Sequence, residues 1–108
     1  MEKYIKIFKA LGDKTRLRIV MMLKVKPMCV CEIREIIGSS MSTISNHLKI
    51  LKEAGILSSD KEDKFINYTL DYSQFFIGML LKLLDYINSE LVKVDRKKVL
   101  KTNRENIC

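Results

Sequence analysis

Residues 29–55 read CVCEIREIIGSSMSTISNHLKILKEAG, and this stretch decides the fold. Apolar residues recur at helical spacing on both sides of a turn that contains Gly38 and two serines. The first run predicts a helix over roughly residues 29–37 that stops at Gly38. The second run predicts a helix that the two serines cap and that ends at Ala54-Gly55. Two helices joined by so short a turn form a helix-turn-helix.

Two more helices are predicted on the N-terminal side of this motif. Apolar residues from Tyr4 to Leu11 recur at helical spacing, and the run stops at Gly12. Asp13 is placed to cap a second helix. Lys26-Pro27 stops that helix, because the residue before a proline avoids the helical region.

On the C-terminal side the sequence predicts a small β-hairpin and a last long helix. Residues 56–59 and 65–70 read as two strands around the polar turn 61–64, which together form a wing. The last helix is predicted over residues 72–94, and its centre is apolar nearly all round. So small a domain cannot bury every face of such a helix, which predicts a homodimer.

The predicted fold is therefore mainly α with a small β-hairpin wing, a winged helix-turn-helix. Residues 1–94 are expected to form this domain, and residues 95–108 are expected to be a basic flexible tail. A chain of 108 residues suffices for one domain. Its 47% hydrophobic content, with four glycines and one proline, excludes a disordered chain.

Charge and hydropathy indicate the partners. The net charge of +7 favours a polyanion, and nucleic acid is the commonest one. The longest apolar run, Phe75 to Leu81, is too short to span a bilayer, so no membrane partner is expected. Residues 1–9 lack the apolar core of a signal peptide, and we expect a cytoplasmic protein.

Cys29 and Cys31 lie at the predicted start of a helix. In a reducing compartment such cysteines are more often free thiols or metal ligands than disulfides. A helix N-terminus favours the thiolate, which selects soft ions such as As(III), Sb(III), Cu(I), Cd, Pb or Hg. Residues two apart in a helix point about 200° apart. An ion shared by both sulfurs should therefore distort this turn, which predicts a switch.

The fourth helix carries a polar face that suits contact with DNA. Asparagine pairs well with adenine, and serine, threonine and lysine reach base edges or phosphates. The only histidine is expected on the exposed side of this helix as a DNA contact, not as a metal ligand. The predicted DNA-binding residues are Ser42, Thr43, Ser45, Asn46, His47 and Lys49.

Three motifs in this order resemble the ArsR-type winged-helix repressors. They are ALGDKTRLRI at residues 10–19, CVCEI at 29–33 and STISNHLKILKEAGIL at 42–57, within a resemblance that covers residues 3 to about 92. The resemblance implies a homodimer paired through its first and last helices. It also implies binding to double-stranded operator DNA and release when a metal, metalloid or thiol oxidant arrives.

Within that family, the Cys-Val-Cys motif is similar to the site of arsenite- and heavy-metal-responsive members. The chain departs from the family patterns at several points. Arg34 stands where arsenical sensors often have a third cysteine, and the N-terminal residues contain no cysteine. The last helix has no histidine, unlike zinc-type sensors. Glu62-Asp63 replace the glycine and arginine often found in the wing, which argues against a strong wing contact with DNA.

The leading hypothesis is a repressor, not an enzyme, with Cys29 and Cys31 as its metal site. As(III) or Sb(III) would be the inducer, and no permanent cofactor is expected. Hydroxide, a small thiol or Cys108 can supply a third ligand, and we expect Cys108 to be accessory. A second hypothesis keeps the DNA-binding head but makes the thiols a redox or persulfide sensor. A third, a small thiol oxidoreductase, is disfavoured because the spacing is Cys-x-Cys and no βαβ pattern is present.

Overall fold

The computed structural model describes residues 1–107, and for residues 105 and 106 it describes the backbone alone. Seven α-helices and two strands follow one another along this part of the chain. They are α1 (Glu2–Leu11), α2 (Lys14–Leu23), α3 (Val30–Ile37), α4 (Met41–Glu53), β1 (Leu57–Glu62), β2 (Phe65–Leu70), α5 (Phe75–Leu83), α6 (Glu90–Lys101) and α7 (Arg104–Ile107).

The helix-turn-helix forms where the sequence predicts it, in α3 and α4. Gly38 ends α3 in the left-handed region, at a φ of 88°, and its N–H donates to the carbonyl of Arg34 at 2.8 Å. Ser40 caps α4, because its Oγ accepts the N–H of Thr43 at 3.2 Å. Only residues 38–40 separate the two helices, so α3 and α4 are closely tied.

The core lies where α4 packs against α1, α2, α3 and β1. The inward residues of α4, Ile44, Leu48 and Leu51, are completely buried. Ile19 of α2 and Ile33 of α3 are completely buried in the same cluster. Burial of this apolar stripe leaves the opposite face of α4 towards solvent.

The wing is a two-stranded antiparallel hairpin, as predicted, although β1 extends to Glu62 instead of ending at residue 59. Its register pairs Leu57 with Leu70 at the base and Glu62 with Phe65 at the tip. A further backbone bridge joins the hairpin to the segment before α3. The N–H of Met28 donates to the carbonyl of Tyr68 at 3.1 Å, and the reverse bond measures 2.8 Å.

The single helix predicted over residues 72–94 is wrong. The chain forms α5, a 3₁₀ turn over Leu84–Tyr86, and then the separate helix α6. Ser89 starts α6, because its Oγ accepts the N–H of Val92 at 3.2 Å. The predicted boundary after residue 94 falls inside α6, where Asp95 is 2% exposed and Val99 is completely buried.

Helices α1 and α5 meet through aromatic side chains, and both expose apolar residues. The rings of Tyr4 and Phe76 meet edge to face at 5.0 Å between centroids, and Phe8 and Phe76 do so at 6.0 Å. Large apolar side chains of both helices remain exposed around these contacts. We call this the α1/α5 face: Tyr4, Ile5, Phe8, Phe75, Met79 and Leu83. Within residues 1–107, no helix is long and apolar enough to cross a membrane.

Candidate functional site

The two thiols of the Cys-Val-Cys motif stand on either side of the start of α3. Cys29 is the N-cap, with an extended backbone (φ −94°, ψ 171°), so the helix begins one residue later than predicted. Its side chain is 3% exposed, whereas Cys31, the second residue of the helix, is half-buried. Cys31 is therefore held by helical geometry, whereas Cys29 lies just outside the helix.

Glu32 ties this turn together from the buried side. Its carboxylate is 3% exposed and accepts the backbone N–H of Cys29 at 3.0 Å. The same Oε1 lies 3.3 Å from a guanidinium nitrogen of Arg104 in α7. Neither Glu32 nor Arg104 was predicted from the sequence as a functional residue. A carboxylate three residues after an N-cap is a capping signal, although cysteine is an unusual cap. Arg104 is too distant in sequence for a pattern to reveal.

We define residues 28–32 as the thiol turn. Among the residues that the structure describes, no three His, Cys, Asp or Glu side chains are arranged to hold a metal ion. The thiol turn therefore offers two soft donors, a set that fits a soft ion better than a hard one. The predicted third donor, Cys108, lies outside the described residues.

The polar face of α4 is open to solvent, as the sequence predicts. Ser42, Thr43, Ser45, Asn46 and Lys49 are all exposed. Ser42 and Thr43 also share the cap of the helix, since their hydroxyls lie 3.2 and 2.9 Å from the Oγ of Ser40. Asn46 lies at the centre of this face and is exposed.

His47 does more than face solvent. It is half-buried, and its Nδ1 lies 3.3 Å from a guanidinium nitrogen of Arg16 in α2. Arg16 is in turn held by the end of α1, because its Nε donates to the carbonyl of Ala10 at 2.8 Å. A second guanidinium nitrogen donates to the carbonyl of Lys9 at 3.3 Å. Arg16, for which no role was predicted from the sequence, therefore links α4 to the junction of α1 and α2.

A model of a known protein family matches this region of the chain. The family model described as "Bacterial regulatory protein, arsR family" matches residues 13–59, which contain the thiol turn and the helix-turn-helix. The remainder of the chain lies outside that model, so the full-length relatives decide how far the likeness extends.

Three curated relatives are similar over different lengths. A cadmium resistance transcriptional regulatory protein CadC homolog from Staphylococcus aureus is 46% identical over 61% of this chain and 55% of its own length. The arsenical resistance operon repressor of Escherichia coli is 40% identical over 61% of this chain, and the match covers 57% of that protein. The transcriptional repressor SdpR of Bacillus subtilis is 40% identical over 79% of this chain and 97% of its own length. The chain thus spans little more than half of the first two relatives and nearly all of the third.

The fold is also similar to solved structures. Reduced HlyU from Vibrio cholerae superposes with a TM-score of 0.69 at 28% identity, covering 81% of this chain and 92% of that one. The likeness therefore extends well beyond the helix-turn-helix.

Proposed function

This chain belongs to the ArsR family of bacterial regulatory proteins, and we propose that it is a metalloid-responsive transcriptional repressor. It binds operator DNA as a homodimer in the cytoplasm and dissociates when As(III), Sb(III) or another soft metal ion binds Cys29 and Cys31. One observation carries the proposal. The two thiols flank the first residue of α3, which is the first helix of the helix-turn-helix.

The exposed face of α4 is the proposed DNA-recognition surface. Its hydroxyl and amide groups suit base edges in the major groove, and Lys49 suits a base edge or a phosphate. The net charge of +7 adds a sequence-independent attraction to the phosphate backbone. Arg16 and His47 hold this helix against α2, so the orientation of α4 depends on the core around it.

The α1/α5 face is the proposed dimer interface. Phe8 is 55% exposed and Leu83 is 58% exposed, on two helices that already contact each other through Phe76. Exposed apolar patches of this kind mark interaction sites on small proteins. A second copy of the chain would cover the face on both protomers by two-fold symmetry and would present two copies of α4 to one duplex.

We attribute release to a distortion of the thiol turn. A soft ion shared by both thiolates requires the buried sulfur of Cys29 to turn towards Cys31 at the start of α3. This movement strains the first turn of α3, and only residues 38–40 separate that helix from α4. Because interiors are close-packed, a shift of α3 is expected to reorient α4 and weaken its fit to DNA.

The names of two relatives support a soft ion as the inducer, since one refers to cadmium resistance and the other to arsenical resistance. The alternative function, a redox or persulfide sensor with the same DNA-binding helix-turn-helix, uses the same thiols. Because Cys31 is half-buried, it is within reach of small electrophiles.

An anaerobic titration separates the two functions. An operator duplex selected by the protein from a random pool would be labelled, and its fluorescence anisotropy followed as arsenite or a persulfide donor is added. Release by micromolar arsenite with intact thiols supports the proposal. Release by the persulfide donor alone would favour the sensor of thiol oxidation.

A further inference from the structure

The thiol turn contacts the wing at two separate places. The first is the backbone bridge between Met28 and Tyr68, whose two hydrogen bonds measure 2.8 and 3.1 Å. The second is a chain of side chains that runs from Glu32 through Arg104 to Phe65. The proposed binding site and the hairpin are therefore physically connected as well as adjacent in the fold.

Arg104 is the central member of the second connection. One guanidinium nitrogen lies 3.3 Å from Oε1 of Glu32, and the guanidinium carbon lies 5.1 Å from the centre of the Phe65 ring. Its side chain is only 20% exposed. A planar guanidinium can pair with a carboxylate and stack on a ring at the same time, which an ammonium does less well.

Glu32 makes the connection sensitive to the state of the thiols. Its carboxylate is buried and has two partners that hold its negative charge, the N–H of Cys29 and the guanidinium of Arg104. A buried carboxylate is costly when a partner is removed. The inference requires that ion binding also moves the backbone of Cys29, so that its N–H leaves Glu32 and the carboxylate shifts together with Arg104.

Phe65 reports such a movement because two cations lie over its ring. Besides Arg104, the ammonium of Lys64 lies 5.4 Å from the ring centre. Phe65 is also the first residue of β2, directly after the hairpin turn. Displacement of Arg104 therefore changes the surroundings of a side chain near the tip of the wing.

We propose that Arg104 is a positioning residue through which occupancy of Cys29 and Cys31 alters the wing hairpin. The inference rests on the proposed function and deepens it by assigning a role to the C-terminal helix α7. Since coupling between sites is reciprocal, a contact that stabilises the ion-free turn also opposes ion binding. Removal of Arg104 should therefore lower the arsenite concentration that half-saturates the thiols, by about five-fold.

The test follows Phe65 directly in the full chain. The protein has four phenylalanines, so labelling with 4-fluorophenylalanine gives four ¹⁹F resonances, and Phe65→Leu identifies one of them. Arsenite is titrated without DNA, and binding is measured separately by the ultraviolet absorbance of arsenic–thiolate bonds. The Phe65 resonance of the wild-type chain should move with the same midpoint as that absorbance.

Two variants and a control decide the outcome. In Arg104→Gln, arsenite should still bind, and the concentration that half-saturates the thiols should be lower than in the wild type. The chemical shift of Phe65 should not change as arsenite is added. Arg104→Lys keeps the charge and should retain a smaller shift. Lys101→Gln removes an exposed charge from the end of α6 and should behave as wild type.

Two results would overturn the inference. The first is a Phe65 resonance that does not move when arsenite binds to the wild-type chain. The second is a Phe65 shift in Arg104→Gln that is as large as in the wild type. The ¹⁹F resonances of the other three phenylalanines show whether the variants are folded. Absence of the arsenic–thiolate absorbance is a different failure, which would overturn the proposed function as well.

Discussion

The carboxylate of Asp95 accepts two hydrogen bonds from the guanidinium of Arg18, at 2.9 and 3.0 Å. They join α6 to α2. Asp95 is 2% exposed and the side chain of Arg18 is 19% exposed, so the pair is largely withdrawn from water. The hydrogen bond to Asp95 raises the pKa of Arg18 above its ordinary value. This pair links α6 to α2 within the folded domain.

Asp95→Ala should lower the free energy of unfolding by about 2–3 kcal/mol, because it leaves a partly buried guanidinium without its partner. Urea unfolding at a fixed protomer concentration measures the change. Asp85→Ala is the matched control. Its carboxylate pairs with Lys24 at 3.0 Å but is 64% exposed, so its loss should cost less than about 1 kcal/mol. Equal effects of the two variants would contradict the assignment.

The sequence predicted α1 to α4 and the hairpin well because each is bounded by a local signal: Asp13, Gly38 and Ser40 act on residues within one turn. The C-terminal third was misread for the opposite reason. Its apolar run suggested one long helix, although Ser89 with Glu90 after it is a start signal for α6. Burial of Asp95 depends on Arg18, which is remote in sequence and therefore invisible to a pattern.

The carboxyl group of Asp13 makes the free energy of unfolding depend on pH. The N–H of Arg16 is the largest cause that holds the pKa of the Asp13 carboxyl below its ordinary value, while burial acts in the opposite direction. A carboxyl with a depressed folded-state pKa stabilises the fold above its unfolded-state pKa. That contribution is lost as the pH falls through the folded-state value, below about pH 4.

Asp13→Asn tests this dependence, because asparagine keeps the helix cap and removes the charge. At pH 6 the variant should be less stable by about 0.5 kcal/mol, the size of a charge effect at a helix N-terminus. The difference should vanish as both proteins are taken from pH 4 to pH 2. Urea unfolding across this range measures it. A difference that stays constant with pH would show that the charge of Asp13 is irrelevant.

The α1/α5 face should control the oligomeric state. Phe8→Glu and Leu83→Glu each place a charge in an apolar interface, so we expect dissociation to monomers at micromolar protein and at least a ten-fold loss of operator affinity. Sedimentation equilibrium measures the mass. Ile66→Glu is the control, since Ile66 is 49% exposed on the wing and should leave the mass unchanged. A monomeric wild-type protein, or variants that remain dimeric, would show that the α1/α5 face is not the dimer interface.

The exposed face of α4 should control operator affinity. Asn46→Ala removes a base-edge contact, which costs about 1–3 kcal/mol per half-site. Arsenite affinity should stay within two-fold. Glu53→Ala, at the other end of the same helix, is the control and should not weaken binding. Operator affinity that is unchanged in Asn46→Ala would mean that α4 is not the reading helix.

His47→Ala should act on DNA binding and on stability together, because His47 contacts Arg16 of α2 as well as lying beside the reading face. We expect weaker operator binding and a loss of about 1 kcal/mol in the free energy of unfolding, the size of one hydrogen bond. Anisotropy and urea unfolding of the same preparation measure the two effects. Weaker DNA binding with full stability would mean that the Arg16 contact contributes nothing.

The candidate site was only partly predictable for a related reason. The Cys-Val-Cys motif and the polar face of α4 are local patterns, so the start of α3 beside the cysteines and the exposure of that face could be predicted from the sequence. Glu32, Arg16 and Arg104 gain their roles from partners on other helices. Their importance follows from burial and distance, which a single sequence does not contain.

The most direct test of the central claim is operator binding by the double variant Cys29→Ser, Cys31→Ser, followed by fluorescence anisotropy with and without arsenite. Serine keeps the size of cysteine but removes the soft donor. We predict operator affinity within about two-fold of wild type and no release at arsenite concentrations that free the wild-type protein. Cys108→Ser is the matched control and should keep full release. Loss of operator binding before arsenite is added, or release that persists in the double variant, would contradict the account.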